Sequence, residues 1–316
     1  MPIGSIAVFD EGVFNGSIEY DALVEGVKLT SREREMEYTF DIERKAEKVY
    51  VILNIERKKF LEPKWRLWLN EFSLTKEFRP NIEVDSGNTI ISSIIYDITP
   101  IVKQGKNVFS IVYKGLDSIT VDSVGHIIFY PVREFETRYQ LYAGSLLLKP
   151  KESVEFTCYG ECYIIAKNPS KDTKVNIGTS EVTGDNEVAD IKIEKEGNVS
   201  IIFSAPENFK NYGRIYSFYS LKYKVPTIDI KAEAIVRDGY VEIKLVNNSE
   251  IDLDKVLANL FLNSISINFK SFNNINKGQI IEYKIPLNNS KGNLNLRVVG
   301  IKAGYRKIFD INVLNR

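Results

Sequence analysis

The chain has 316 residues, 44% hydrophobic and 27% charged, with 42 lysines plus arginines against 42 aspartates plus glutamates. That length and composition describe a globular protein of two or three domains. A formal net charge of zero without a concentrated basic patch excludes nucleic acid as an expected partner. No run of about 18 apolar residues occurs, so no helix is expected to span a membrane.

The first residues, Met1-Pro2-Ile3-Gly4-Ser5, have neither the basic nor the apolar region of a secretory leader. Two compartments stay open: the cytoplasm, or the cell surface if a leader has been removed. The densest charge run, Arg32-Glu33-Arg34-Glu35, alternates in sign and reads as a solvated strand edge. Next, Val49, Val51, Leu53 and Ile55 share one face, and Tyr50, Ile52, Asn54 and Glu56 the other. Such a period of two is the signature of a β-strand. Trp65, Leu67 and Leu69 alternate in the same way with Arg66, Trp68 and Asn70. Further strands are expected over residues 90–95, 108–113 and 127–132.

Residues 96–113 carry the clearest local grammar. A strand ends at the Thr99-Pro100 bend, Gly105-Lys106-Asn107 turns the chain, and Val108 begins a return strand. Proline removes a ladder donor, so the first strand must stop before it, and glycine supplies the freedom for the reversal. Asp97 is expected to cap the bend by accepting backbone hydrogens.

Residues 133–141 are charged and polar and read as a break between domains, and Val225-Pro226 as a second. Beyond it, Arg237-Asp238-Gly239 separates two alternating apolar runs, the strongest short-range hairpin signal in the chain. Residues 254–262 are the best helix candidate. The expected fold is all-β: three consecutive β-sandwich domains at 1–136, 137–225 and 226–316.

Trp65-Arg66-Leu67-Trp68-Leu69-Asn70, followed by Tyr96-Asp97-Ile98-Thr99-Pro100 and Gly105-Lys106-Asn107-Val108, resembles the galactose-binding-like jelly roll. That superfamily includes sandwiches of glycosidases, carbohydrate-binding modules and archaeal surface-protein domains. Gly125-His126-Ile127-Ile128-Phe129-Tyr130 matches a later strand of the pattern, and the likeness covers about residues 36–132. Glu71 departs from it where a glycine is usual. Residues 241–251 resemble a strand and turn of Ig-like adhesion sandwiches. The resemblance implies a fold and no particular activity.

His126 is the only histidine, and no G-x-S-x-G, Walker or dinucleotide glycine motif is present, so no catalytic residue, metal or cofactor is expected. Trp68, with Arg66 and Asn70 beside it, could stack on a sugar or anchor a protein; the alternative is that it packs under a loop. Cys158 and Cys162 flank Gly160 in what reads as a hairpin, leaving a disulfide, two buried thiols and a metal pair as alternatives. Tyr212, Tyr216, Tyr219 and Tyr223 suggest an interdomain contact. Sequons occur at Asn15, Asn198, Asn247 and Asn288, about as many as chance provides. The expected role is a non-enzymatic structural or adhesion protein meeting glycan or protein partners. The alternatives are a carbohydrate-binding accessory or glycan-active enzyme, and an intracellular scaffold or viral structural subunit.

Overall fold

In the computed structural model the described residues are all except 133, 225, 288–291, 303, 304 and 316, and none of them is helical. The chain divides into two compact units, Met1–Lys224 and Val225–Arg316. The first begins with β1 (Ile3–Phe14), β2 (Gly16–Leu23), β3 (Val27–Leu29), β4 (Glu35–Ile42), β5 (Lys48–Lys58), β6 (Trp65–Leu69) and β7 (Phe72–Thr75). It continues with β8 (Ile82–Asp85), β9 (Thr89–Asp97), β10 (Gly105–Tyr113), β11 (Ile119–Pro131), β12 (Glu136–Leu148) and β13 (Ser153–Cys158). It closes with β14 (Glu161–Lys167), β15 (Lys174–Ile177), β16 (Ser180–Val182), β17 (Val188–Ile193), β18 (Gly197–Ser204) and β19 (Gly213–Lys224).

These strands form four stacked sheets. An outer sheet, β4-β10-β6-β7, covers a six-stranded sheet, β2-β11-β5-β9-β8 with β3 on β11. Val49, Val51, Leu53 and Ile55 point into the core between them, as their alternation requires, against Phe40, Trp65, Leu67 and Phe109. The opposite face of the six-stranded sheet is also covered. Ile52, Ile127 and Phe129 pack on Tyr139, Leu141, Tyr219 and Leu221 of the third sheet, β1-β12-β19-β14-β17. The fourth sheet, β13-β18-β15-β16, closes the far side over Ile164, Val175, Ile201 and Phe203.

Three local expectations change. Residues 133–141 are largely strand, with Thr137, Tyr139 and Leu141 buried between exposed or half-buried polar neighbours. The bridged Cys158 and Cys162, with Cα atoms 5.9 Å apart, join no hairpin, because β13 pairs with β18 and β14 with β17 and β19. The turn between them is a corner that carries the chain from one sheet to the other. Also, β1 pairs along its length with β12, so the first strand belongs to the third sheet and not to the jelly roll that follows it.

The second unit comprises β20 (Ile230–Arg237), β21 (Tyr240–Asn247), β22 (Leu253–Leu262), β23 (Ile265–Ile275), β24 (Ile280–Pro286), β25 (Leu294–Lys302), β26 (Tyr305–Asn312) and β27 (Leu314–Asn315). Two sheets, β24-β21-β20-β27 and β23-β22-β25-β26, enclose Val241, Ile243, Leu245, Val256, Leu260, Leu296 and Val298. The Asp-Gly signal is a two-residue hairpin, with Asp238 at φ 47° and Gly239 at φ 77° as a type I′ turn demands. The helix expected at residues 254–262 is instead the central strand β22.

Candidate functional site

The structure separates the three residues singled out around Trp68. Trp68 and Arg66 lie half-buried on the outer face of the outer jelly-roll sheet. Trp68 is flanked by Ser110 on β10 and Ser73 on β7, short side chains that leave room beside the indole. Asn70 sits beyond the strand end at φ 53°, in the turn with Glu71. Its Oδ1 accepts the Val108 N–H at 3.1 Å and its Nδ2 donates to Asn107 Oδ1 at 3.1 Å, so its amide is spent on the turn. Asn70 thus takes the left-handed position in a turn where the family pattern has a glycine. Trp65 is core, its Nε1 donating to the Glu77 carbonyl at 3.0 Å.

A better-built surface lies in the loop between β5 and β6. Phe60 is 93% exposed at its tip, and Leu116, in the loop between β10 and β11, is 90% exposed. The loop is fixed from below. Arg57 donates to the Leu61 carbonyl at 2.7 Å and, through its other terminal nitrogen, to Glu83 at 2.8 Å. The Lys59 N–H donates to the Asn88 carbonyl at 3.2 Å. Lys58 pairs with Asp117 at 3.1 Å, and Lys59 with Asp85. Lys58, Lys59, Phe60, Asn88 and Asp117 line an open cleft of about 350 Å³. An aromatic face beside ammonium, amide and carboxylate groups suits a ligand with an apolar face and a hydroxylated rim. The signal in the sequence was Phe60-Leu61, an apolar pair inside the charged run 56–64.

The seam between the second and third sheets holds the buried charges. The register of β11 against β5 shifts between Val121 and Ser123, and the extra residue is Asp122, which is fully buried. Asp122 accepts Lys167 Nζ at 2.7 Å and the Tyr216 hydroxyl. Glu56 accepts Lys167 Nζ at 2.9 Å and both terminal nitrogens of Arg214. Burial pushes the Glu56 carboxyl up, but the hydrogen bonds and charges of Arg214 and Lys167 outweigh it and hold it at about 2. Two acids and two bases neutralise one another here. Further along the seam Tyr20 meets Tyr163 and Tyr219, with ring centroids 4.9 and 5.0 Å away. Asp190 lies beside them, and burial, reinforced by Asp21, pushes its carboxyl up to about 6.

The tyrosines expected at a contact surface do sit on this seam. Tyr219 and Tyr223 pack in one of its apolar clusters, Tyr212 and Tyr216 in the other. His126 is neither a strand-end residue nor part of any site. It lies in the middle of β11, buried, stacked on Phe40 with centroids 4.8 Å apart and with Nδ1 2.6 Å from the Tyr38 hydroxyl. Among the sequons, Asn247 is buried with its amide donating to the carbonyls of Ile251, Ile275 and Asn276, and Asn288 lies outside the described residues. No metal-binding group of histidine, cysteine or carboxylate side chains occurs among the described residues, and no helix is long and apolar enough to cross a membrane.

No protein-family model and no curated protein matches the chain. Solved structures do. A β-glucuronidase of Parabacteroides merdae is 13% identical over 56% of this chain and 28% of its own, with a TM-score of 0.25. A β-D-glucuronidase of Dictyoglomus thermophilum is 11% identical over 99% of this chain and 44% of its own, with a TM-score of 0.21. The glycoside hydrolase domain of Endo-D from Streptococcus pneumoniae R6 is 13% identical over 55% of this chain and 33% of its own, with a TM-score of 0.20. The chain therefore spans less than half the length of each. The expectation of a non-enzymatic chain is corrected by these matches, all of them glycoside hydrolases, and is not carried further.

Proposed function

We propose that this chain is the saccharide-contacting β-sandwich portion of a glycan-active protein, and that it meets its ligand at the Phe60 cleft. The observation that carries the reading is an aromatic ring 93% exposed on a loop that Arg57 locks from beneath. Exposing a phenyl ring forfeits its burial energy, about 2 kcal/mol, and a rigid loop presents it without an ordering cost at the moment of contact. The test is an oligosaccharide array probed with the wild type, Phe60→Ala and Trp68→Ala. Phe60→Ala is expected to weaken binding at least tenfold with no loss of melting temperature. Binding unaffected by Phe60→Ala but abolished by Trp68→Ala would move the site to the sheet face. A wild type that binds no saccharide would end the reading.

A second reading, a glycan-active enzyme, is favoured by Asp190. A carboxyl pushed up to about 6 within a tyrosine-lined seam has the acidity of a general acid working near neutrality. Turnover of a panel of nitrophenyl glycosides that falls at least a hundredfold in Asp190→Asn would support it. Turnover unchanged in that variant would remove Asp190 from any mechanism.

A further inference from the structure

The second unit presents two unlike outer faces. On β21 and β24 the face is a ladder of opposite charges, with Lys244 on Glu282 at 3.0 Å and Lys284 on Glu242 at 2.6 Å. The outer face of β23-β22-β25-β26 carries no such ladder. Near the β22–β23 turn the strand register sets two rows side by side across it: Phe261, Asn295 and Asn312, then Asn259, Arg297 and Asp310. Their neighbours Leu260 and Leu296 point the other way into the core, so all six side chains rise on the solvent side.

A cleft of about 380 Å³ lies over these rows, walled by Asn263 and Asn293 of the adjoining loops. Asn263 is held in place, at φ 47°, with its Oδ1 accepting the Asn293 N–H at 2.9 Å. Arg297 and Asp310 form a two-point pair at 2.8 and 3.0 Å, and the guanidinium lies 6.0 Å from the centre of the Phe261 ring. The Oδ1 of Asn295 is buried without a hydrogen-bond partner, an acceptor desolvated at a cost of about 1–3 kcal/mol. Native structures leave such atoms unpaired rarely.

We propose that this cleft is a second ligand site, on a different unit from Phe60, and that it takes an uncharged saccharide. Amide side chains offer donors and an acceptor from one planar group, which matches adjacent hydroxyls that must both give and receive hydrogens. Arg297 and Asp310 cancel each other's charge, so the floor favours neither an acidic nor a basic ligand. Phe261 supplies an apolar patch for a sugar's C–H face, and a ligand hydroxyl would satisfy Asn295 Oδ1. The class of ligand rests on the glycan reading proposed for the chain; the geometry of the site does not.

The test uses the full chain and an array of neutral, uronic-acid-bearing and sialylated oligosaccharides, with Phe60→Ala, the double variant Asp310→Ala/Asn312→Ala, and the two combined. Asp310 is solvent-exposed, as is Asn312, so the double variant is expected to fold, which a thermal melt by circular dichroism checks. We expect Phe60→Ala to retain neutral-glycan binding that Asp310→Ala/Asn312→Ala weakens at least tenfold. Loss of all binding in Phe60→Ala would overturn the second site and leave the Phe60 cleft standing. Loss of all binding in the double variant alone would do the reverse. Preference for acidic glycans at the residual site would also overturn the proposal. A blank array for every form, the outcome expected of a surface that docks protein, would overturn both.

Discussion

Asp122 and His126 stand four residues apart on β11 and point in opposite directions. The bulge at Asp122 breaks the alternation, so the carboxylate enters the seam while the imidazole enters the jelly-roll core. Asp122 finds Lys167 and Tyr216; His126 finds Tyr38, and its Nε2 has no partner. Burial pulls the His126 pKa down to about 4 against an ordinary 6.5. The unfolded chain therefore binds a proton at this residue over a range where the folded chain does not. Stability is full above pH 6.5 and is lost as pH falls from 6.5 towards 4, by on the order of 3 kcal/mol. His126→Phe is expected to flatten that part of a melting-temperature profile; a profile unchanged from wild type would show that His126 is not its source. The sequence offered a lone histidine beside a glycine, with nothing to distinguish mid-strand from strand end. Asp97 was more legible, because a carboxylate two residues before Thr-Pro has one obvious task, and its Oδ1 accepts the Thr99 N–H at 3.0 Å.

At the scale of elements, the strands that were read correctly are those with one buried face, such as β5 and β6. Tyr50, Ile52, Asn54 and Glu56 form a mixed second face because that face meets another sheet across both apolar and ionic contacts. Mutating Lys167 to Met should leave Asp122 and Glu56 short of a partner and cost about 3–5 kcal/mol, read as a lower urea midpoint. An unchanged midpoint would mean that water reaches the seam. Strand β22 was misread for an equally physical reason. Leu253, Val256, Leu257, Leu260 and Phe261 repeat at the spacing of a helical stripe, yet Val256 and Leu260 are core while Leu257 and Phe261 belong to the other face. A strand with apolar residues on both sides imitates a helix over ten residues. The start of β12 was hidden by the converse pattern, since Glu136, Arg138 and Gln140 on its wetter side resemble a linker. The Phe60 cleft was not legible because Asn88 and Asp117 reach it from distant parts of the sequence.

For the whole molecule, all-β architecture followed from alternation and turn residues alone, whereas the grouping of strands into units did not. Two compact units stand where the sequence suggested three sandwiches, and the seam explains the difference: apolar clusters and an ion network bind its sheets together. Calorimetry is expected to show residues 1–224 unfolding in one transition and the remainder in another. Three resolved transitions would show that the jelly roll and the following sandwich are thermodynamically independent.

The pairing of β1 with β12 brings a further consequence for synthesis and engineering. Residues 3–14 find their partner only after more than a hundred intervening residues have been made, so the third sheet must await a segment produced at the outset. A jelly roll excised at residue 136 would carry β1 as a loose, partnerless ribbon, and a fragment starting at 137 would bare a long strand edge to its neighbours. The borders of the folded layers are therefore interleaved along the gene, and domain-swapping experiments would need to move residues 3–14 together with 136–224.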